Sequence, residues 1–140
     1  MNERDFIKQM MQQAVGITDE DFEKYLSYPK NLGIAEGTPE LMKYRIIAEV
    51  TESKYCSAKV KPGQKYVFQS IPAMLLAEES DCPLCARAIA PVATALGKIW
   101  EKIIEGTNPL EEELVGCLDP GVENGGLGHV VFRVYAQKKE

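Results

Sequence analysis

Apolar residues in the first part of the chain recur at helical spacing and predict two helices. The first would end at Gly16, a residue type that is common at helix ends. The second would begin after Thr18, because its side chain can cap free backbone N–H groups and three acidic residues follow it. The next stretch contains four residues that disfavour helix: Pro29, Gly33, Gly37 and Pro39. We interpret that stretch as a connection.

The second part of the chain carries the pattern of strands. Residues 44–51 and residues 65–69 are rich in β-branched and aromatic side chains, which predicts two strands. Residues 113–118 predict a third strand and residues 129–136 a fourth. The fourth has the clearest pattern, because valine and phenylalanine alternate with other residues along it.

Residues 82–106 lie between the second and third predicted strands and carry an apolar stripe at helical spacing. They predict one long helix, with a kink or a break at Pro91. One helix covers only one face of a sheet, so we predict an α+β fold with a small antiparallel-rich sheet. We assign residues 1–40 to an N-terminal helical segment and residues 41–140 to the α+β domain.

Composition and charge narrow the range of functions. The 140 residues are 45% hydrophobic and 26% charged, with a net charge of −5, which is ordinary for a globular chain. There is no basic stripe, so we predict no nucleic-acid binding. No apolar run approaches ~18 residues, so we predict no membrane insertion. The first residues lack the apolar centre of a signal peptide, which favours a cytoplasmic location where thiols stay reduced.

Four cysteines are the residues that point to chemistry: Cys56, Cys82, Cys85 and Cys117. In a reducing compartment we do not expect them to form two disulfides. Cys82 and Cys85 form a C-P-L-C motif at the predicted start of the long helix, where Pro83 suits the first turn. Unpaired N–H groups and a partial positive charge at a helix start favour thiolate over thiol. The spacing suits either a disulfide or two bonds to one metal ion.

Cys56 follows the first predicted strand and Cys117 lies in the third, so the four sulfurs can meet at one end of the sheet. Thiolate ligands favour zinc or an iron–sulfur cluster over magnesium or calcium. We therefore predict that the four cysteines bind a metal ion or cluster, in a protein accessory to redox or anaerobic metabolism. Three alternatives stay open. The thiols can be packing residues, Cys82 and Cys85 can be a redox dithiol, or the chain can be a non-catalytic homodimer that pairs through its N-terminal helices.

Other polar residues give weaker signals. His129 is the only histidine and is a candidate ligand or general base, although a histidine that opens a strand is usually a surface residue. Arg87 follows the C-P-L-C motif and is a candidate to hold an anionic substrate or to stabilise a thiolate. Residues 121–128 contain four glycines without a phosphate-binding pattern, and we interpret them as a flexible hairpin connection.

Several short motifs lie between residues 44 and 136. They are YCSAKVKPGQKYVF at the end of the first predicted strand, the Cys-Ala pair at 85–86, and GCLDPG ahead of VVFRVY. On these motifs the chain resembles a group of small bacterial and archaeal cysteine-containing proteins of uncharacterised function. The resemblance implies that Cys56, Cys85 and Cys117 belong together, with Cys82 as an addition and a possible fourth ligand. Three protein ligands with one open position is a pattern of reactive metal sites.

Overall fold

A computed structural model describes residues 2–108 and 111–140 of the chain, and this part forms four α-helices and one four-stranded sheet. The helices are α1 (Glu3–Val15), α2 (Asp19–Leu26), α3 (Pro29–Leu41) and α4 (Ala86–Glu105). The strands are β1 (Tyr44–Lys54), β2 (Lys65–Gln69), β3 (Glu113–Gly116) and β4 (His129–Lys138). The predicted fold class is confirmed, because α4 packs on the antiparallel sheet and the other helices precede it.

The sheet has the strand order β2-β1-β4-β3, and every neighbouring pair is antiparallel. Alternate residues of the two central strands face the helix and are buried, as the apolar alternation predicts. Along β1 and β4 these residues are Ile46, Ala48, Val50, Val130, Phe132, Val134 and Ala136. The core therefore lies between one face of the sheet and α4.

Helix α4 continues through Pro91, so a break at this position, one of the two predicted outcomes, is wrong. A proline at this position has no N–H to give to the carbonyl of Arg87, four residues earlier. The N–H of Leu118 donates to that carbonyl instead, at 3.0 Å. A hydrogen bond from another element thus satisfies the group that the proline leaves free. The helix ends at Gly106 in the left-handed conformation (φ 73°), as predicted.

The two predicted N-terminal helices are confirmed, together with the Thr18 cap, which accepts a hydrogen bond from the N–H of Asp21 at 3.1 Å. Gly16 ends α1 with φ 69°, the left-handed conformation that glycine adopts without strain. Arg4 forms an ion pair with Glu23, which ties α1 to α2.

The prediction of a connection over residues 29–39 is wrong, because α3 spans it. Pro29 occupies the first turn, where its missing N–H costs nothing. Gly37 lets α3 approach α4 closely, since a Cβ atom there would lie 3.1 Å from the backbone of Ile104. Leu41, the last residue of α3, is fully buried in the core. Packing between the two helices thus outweighs the low helix propensity of the segment.

None of the described helices is both long enough and apolar enough to span a membrane. Helix α3 packs on α4, and α2 packs on α3. The division between residues 1–40 and 41–140, and the homodimer formed through the N-terminal helices, stay predictions.

Candidate functional site

The four cysteines lie on segments that meet at one end of the sheet. With this strand order and these antiparallel pairs, the end of β1, the start of β2, the end of β3 and the start of β4 share one edge. Cys56 follows β1 and Cys117 follows β3, while Cys82 and Cys85 precede α4. Cys82 is buried, the other three are half-buried, and all four contact the same core. We call this edge the cysteine end.

Hydrogen bonds attach the segment of Cys117 to the start of α4. The N–H of Cys117 donates to the carbonyl of Val130 at 2.9 Å, and the N–H of Val130 lies 3.3 Å from the Cys117 sulfur. The next residue, Leu118, gives its N–H to the carbonyl of Arg87 at 3.0 Å and accepts from the Arg87 guanidinium at 3.3 Å. Arg87 is two residues beyond Cys85, so its contacts hold the Cys117 segment beside the first turn of α4.

The hydroxyl of Tyr66 anchors the C-P-L-C segment to β2. Tyr66 is fully buried, donates to the carbonyl of Pro83 at 2.7 Å and accepts from the N–H of Cys85 at 3.4 Å. The N–H of Cys82 donates to the carbonyl of Lys65 at 3.2 Å. These bonds fix the backbone on both sides of the motif and bring Cys82 and Cys85 to the start of β2.

The long helix begins later than the sequence pattern predicts. It starts at Ala86, with Cys85 as the N-cap residue in an extended conformation (φ −124°, ψ 125°). Pro83 therefore lies in a loop rather than in the first turn, and Cys82 lies outside the helix. The Cys85 side chain makes no capping hydrogen bond, so its sulfur is not committed to the helix start.

Burial raises the pKa of the Cys82 thiol, because the charged form loses contact with water. The nearby Tyr66 hydroxyl opposes this rise, whereas negative charge on Asp81, Cys56 or Cys85 adds to it. Burial also raises the pKa of Tyr66 well above its usual value, and its interaction with Cys82 contributes. Cys56 and Cys85 therefore each lie within electrostatic range of Cys82.

Cys117 has different side-chain neighbours. Its sulfur lies 3.9 Å from Nδ1 of His129 and 3.6 Å from the carbonyl oxygen of Asp119. Nδ1 of His129 also forms a hydrogen bond with that carbonyl oxygen. A carbonyl only accepts hydrogen bonds, so we assign the ring proton to Nδ1, which leaves Nε2 as the acceptor. The structure thus pairs Cys117 with His129.

Asp119 fixes the loop between β3 and β4 that we interpreted as flexible. Its carboxylate accepts three backbone N–H bonds, each 3.0 Å long, from Gly121, Leu127 and Gly128. The bond from Gly121 contributes most to lowering the pKa of Asp119, since bonds to the charged form favour that form. These bonds hold the loop residues that lie beside His129.

Gly128 brings the start of β4 against the segment of Cys56. A Cβ atom at this position would lie 2.6 Å from the carbonyl oxygen of Tyr55 and 3.1 Å from Cα of Cys56. Only glycine therefore permits this close approach of the two backbones. Through Gly128 the Cys56 segment contacts the strand that carries His129.

Two organising residues were not recognised from the sequence. Tyr66 lies in an alternating apolar strand, where a tyrosine is indistinguishable from an ordinary core residue. Asp119 opens an Asp-Pro-Gly turn, and the tendency of aspartate to bond to following backbone N–H groups was a usable signal.

Across residues 2–108 and 111–140, no three histidine, cysteine, aspartate or glutamate side chains are arranged to hold a metal ion. The fold gathers the segments that carry the cysteines, and Cys56 and Cys85 both contribute to the raised pKa of Cys82. The set implied by the resemblance contains Cys117 instead of Cys82, and its assignment as a ligand set stays a prediction.

Comparisons with known proteins return no relative: no protein-family model, no curated protein and no solved structure matches the chain. The resemblance to the group of small cysteine-containing proteins stays a prediction. The function must therefore be argued from the cysteine end itself.

Proposed function

We propose that this protein binds one soft metal centre at the cysteine end, with Cys56, Cys82 and Cys85 as ligands and Cys117 as the fourth. Zinc is the simplest occupant, because it prefers four sulfur and nitrogen ligands, and an iron–sulfur cluster is the other. One observation carries the proposal: the segments that hold the four cysteines meet at one end of the sheet, and all four side chains pack on the same core.

The charge balance of the three sulfurs supports this proposal. Burial and neighbouring negative charge both disfavour ionisation of Cys82. A divalent cation would reverse this effect, because it stabilises thiolates directly and releases their protons on binding.

The local backbone allows the small sulfur movements that metal binding requires. Cys85 is an N-cap residue whose side chain makes no capping bond, so its side chain can turn without loss of a helix contact. Cys56 lies in a turn between two residues with left-handed backbone, Tyr55 (φ 55°) and Lys59 (φ 60°). The Cys117 sulfur already accepts the N–H of Val130, and such bonds are known to tune metal–thiolate centres.

The direct test is elemental analysis of the chain purified without oxygen, together with its visible spectrum. One equivalent of zinc in colourless protein identifies a zinc site, and iron with sulfide in brown protein identifies a cluster. We expect Cys56→Ser, Cys82→Ser and Cys85→Ser each to lower the bound metal to well below one equivalent.

Two further variants sharpen the test. Leu84→Ala is the matched control, because Leu84 lies between the two cysteines of the motif but is 68% exposed and carries no sulfur. It should retain the full metal content. Cys117→Ser distinguishes four protein ligands from three, since only a four-cysteine site loses metal in that variant. A chain that stays free of metal after anaerobic incubation with zinc and with iron plus sulfide refutes the proposal.

A redox dithiol formed by Cys82 and Cys85 is the second candidate. The place of Cys85 at the start of α4 favours it, because a helix start stabilises a thiolate. The raised pKa of Cys82 would make that residue the resolving thiol rather than the attacking one. Mass spectrometry after equilibration with glutathione buffers tests for a reversible Cys82–Cys85 disulfide. The accessory role in redox or anaerobic metabolism stays a prediction.

A further inference from the structure

A second candidate site lies among the N-terminal helices and contains none of the cysteines. Residues of α1, α2 and α3, together with Ile71 and Pro72, enclose a cleft of about 610 Å³. Sites for small molecules typically measure about 300–1,000 Å³, so the cleft has the size of a small-molecule site.

The lining of the cleft is apolar and partly exposed. Its apolar lining residues include Phe6, Met10, Met11, Ala14, Val15 and Met42. Phe6 is 53% exposed and Val15 is 74% exposed. Contact of these apolar side chains with water is unfavourable, and exposed apolar patches often mark binding surfaces. Methionine side chains are flexible and fit apolar guests of different shapes. The surface is therefore suited to hold an apolar body.

The charges around the cleft have one sign. Among the residues that the structure describes, Glu3 and Glu36 are the only charged ones that line it, and neither forms an ion pair with another of them. The two cations of α1, Arg4 and Lys8, pair with carboxylates of α2 instead. An apolar guest with a positive head would thus meet uncompensated carboxylates, whereas an anionic guest would be repelled.

Helix α1 is lightly held, which allows the cleft to adjust to a guest. Ile7 is the one buried residue of α1. The ion pairs that join α1 to α2 are formed by exposed or half-exposed side chains. Such pairs contribute little to stability. Small shifts of α1 therefore cost little free energy.

We propose that this cleft binds a cationic amphiphile, a small molecule with one apolar body and an amine head. The volume favours a small molecule over a partner helix, and the unpaired carboxylates of Glu3 and Glu36 favour an amine over a carboxylate head.

The test is calorimetric titration of the full chain with dodecylamine, and with dodecanoate as the matched anionic chain, both below the concentrations at which they aggregate. We expect one equivalent of dodecylamine to bind and dodecanoate to bind at least severalfold more weakly. The double variant Glu3→Gln/Glu36→Gln should weaken amine binding by roughly threefold to tenfold, because each exposed ion pair contributes little by itself. Ala14→Trp should abolish binding by filling the cleft.

Glu20→Gln is the control, because it removes an exposed carboxylate of α2 that does not line the cleft. It should bind dodecylamine like the unchanged chain, and thermal melting should show that every variant is folded. Equal affinity for the two head groups, or unchanged amine binding in the double variant, overturns the proposal. So does a dimer that excludes dodecylamine and that Ala14→Trp dissociates, since the occupant would then be a second copy of the chain.

Discussion

At the residue scale, the hydroxyl of Tyr66 is the group on which the C-P-L-C segment depends. It satisfies the carbonyl of Pro83 and the N–H of Cys85 at the same time. Buried polar groups that lose a partner cost more than the lost bond itself, because they have also lost contact with water. The position of both cysteines of the motif is therefore coupled to one side chain of β2.

Tyr66→Phe should lower the free energy of unfolding by about 1–3 kcal/mol, because it leaves the Pro83 carbonyl and the Cys85 N–H without this partner. Urea denaturation measures the change. Tyr135→Phe is the matched control, since the Tyr135 hydroxyl bonds to Glu49 on the half-exposed part of the sheet. Its loss should cost less than about 1 kcal/mol. Equal costs for the two variants would contradict the role of Tyr66.

Cys82 should make the stability of the fold depend on alkaline pH. Its pKa is raised in the folded chain by burial, so the folded state keeps a proton that the unfolded state loses above about pH 8.5. The stabilising effect is complete below that pH and disappears as the pH rises through the folded-state pKa. Unfolding measured from pH 7 to pH 10 should show a shallower fall for Cys82→Ala than for the unchanged chain. Parallel curves would show that Cys82 titrates normally.

At the scale of elements, Pro91 links the interior of α4 to the Cys117 segment. Its missing N–H leaves the carbonyl of Arg87 available to Leu118. The proline costs helix stability in an isolated helix, yet here it provides an acceptor for a neighbouring element. A residue that disfavours helix locally thus supports the arrangement of the cysteine end.

Pro91→Ala should weaken the attachment of Leu118, because the new N–H competes for the Arg87 carbonyl. Hydrogen exchange measured by NMR should show protection of the Leu118 amide reduced by about fivefold, as expected for the loss of one net hydrogen bond of about 1 kcal/mol. Thr94→Ala on the exposed face of α4 is the control and should leave this amide unchanged. Unchanged exchange in Pro91→Ala would mean that the proline has no such role.

The two glycines of α3 give a matched pair for testing its contact with α4. A Cβ atom at Gly33 would meet no atom within 4 Å, whereas one at Gly37 would lie 3.1 Å from Ile104. Gly33→Ala should therefore stabilise the chain by about 0.5–1 kcal/mol through helix propensity. Gly37→Ala should destabilise it by about 1–3 kcal/mol through crowding. Thermal unfolding measures both, and a stabilising Gly37→Ala would show that the helices are not in close contact.

At the scale of the whole molecule, the fold brings the segments that carry the four cysteines, which span residues 56 to 117, to one end of the sheet. The antiparallel strand order is responsible, because it places two strand ends and two strand starts at the same edge. A ligand held across these segments would stabilise the entire fold, since it would bind the folded chain and not the unfolded one.

Zinc at about 100 times its dissociation constant should therefore stabilise the chain by about 2.7 kcal/mol, which thermal unfolding detects as a higher melting temperature. Magnesium at the same concentration should have no effect, because it prefers oxygen ligands. Cys56→Ser should lose most of the zinc effect, and Leu84→Ala should keep it. A similar shift with magnesium, or in Cys56→Ser, would place the bound ion elsewhere.

The amino-acid sequence by itself determined the features that depend on neighbouring residues. The caps of the first two helices, the four strands, the stripe of α4 and the end at Gly106 follow from side-chain periodicity and local hydrogen bonding, which act over a few residues. The identity of the four candidate ligands also follows from the sequence, because thiols are chemically distinct whatever their surroundings.

Only the tertiary structure decided the features that depend on distant residues. Helix α3 exists against its propensity because Gly37 permits packing on α4, and α4 begins at Ala86 because Tyr66 holds the preceding loop. The effect of Cys56 and Cys85 on the buried Cys82, and the contact between Cys117 and His129, depend on strand order and on burial. These contacts join residues that are far apart in the chain, so no local pattern carries them.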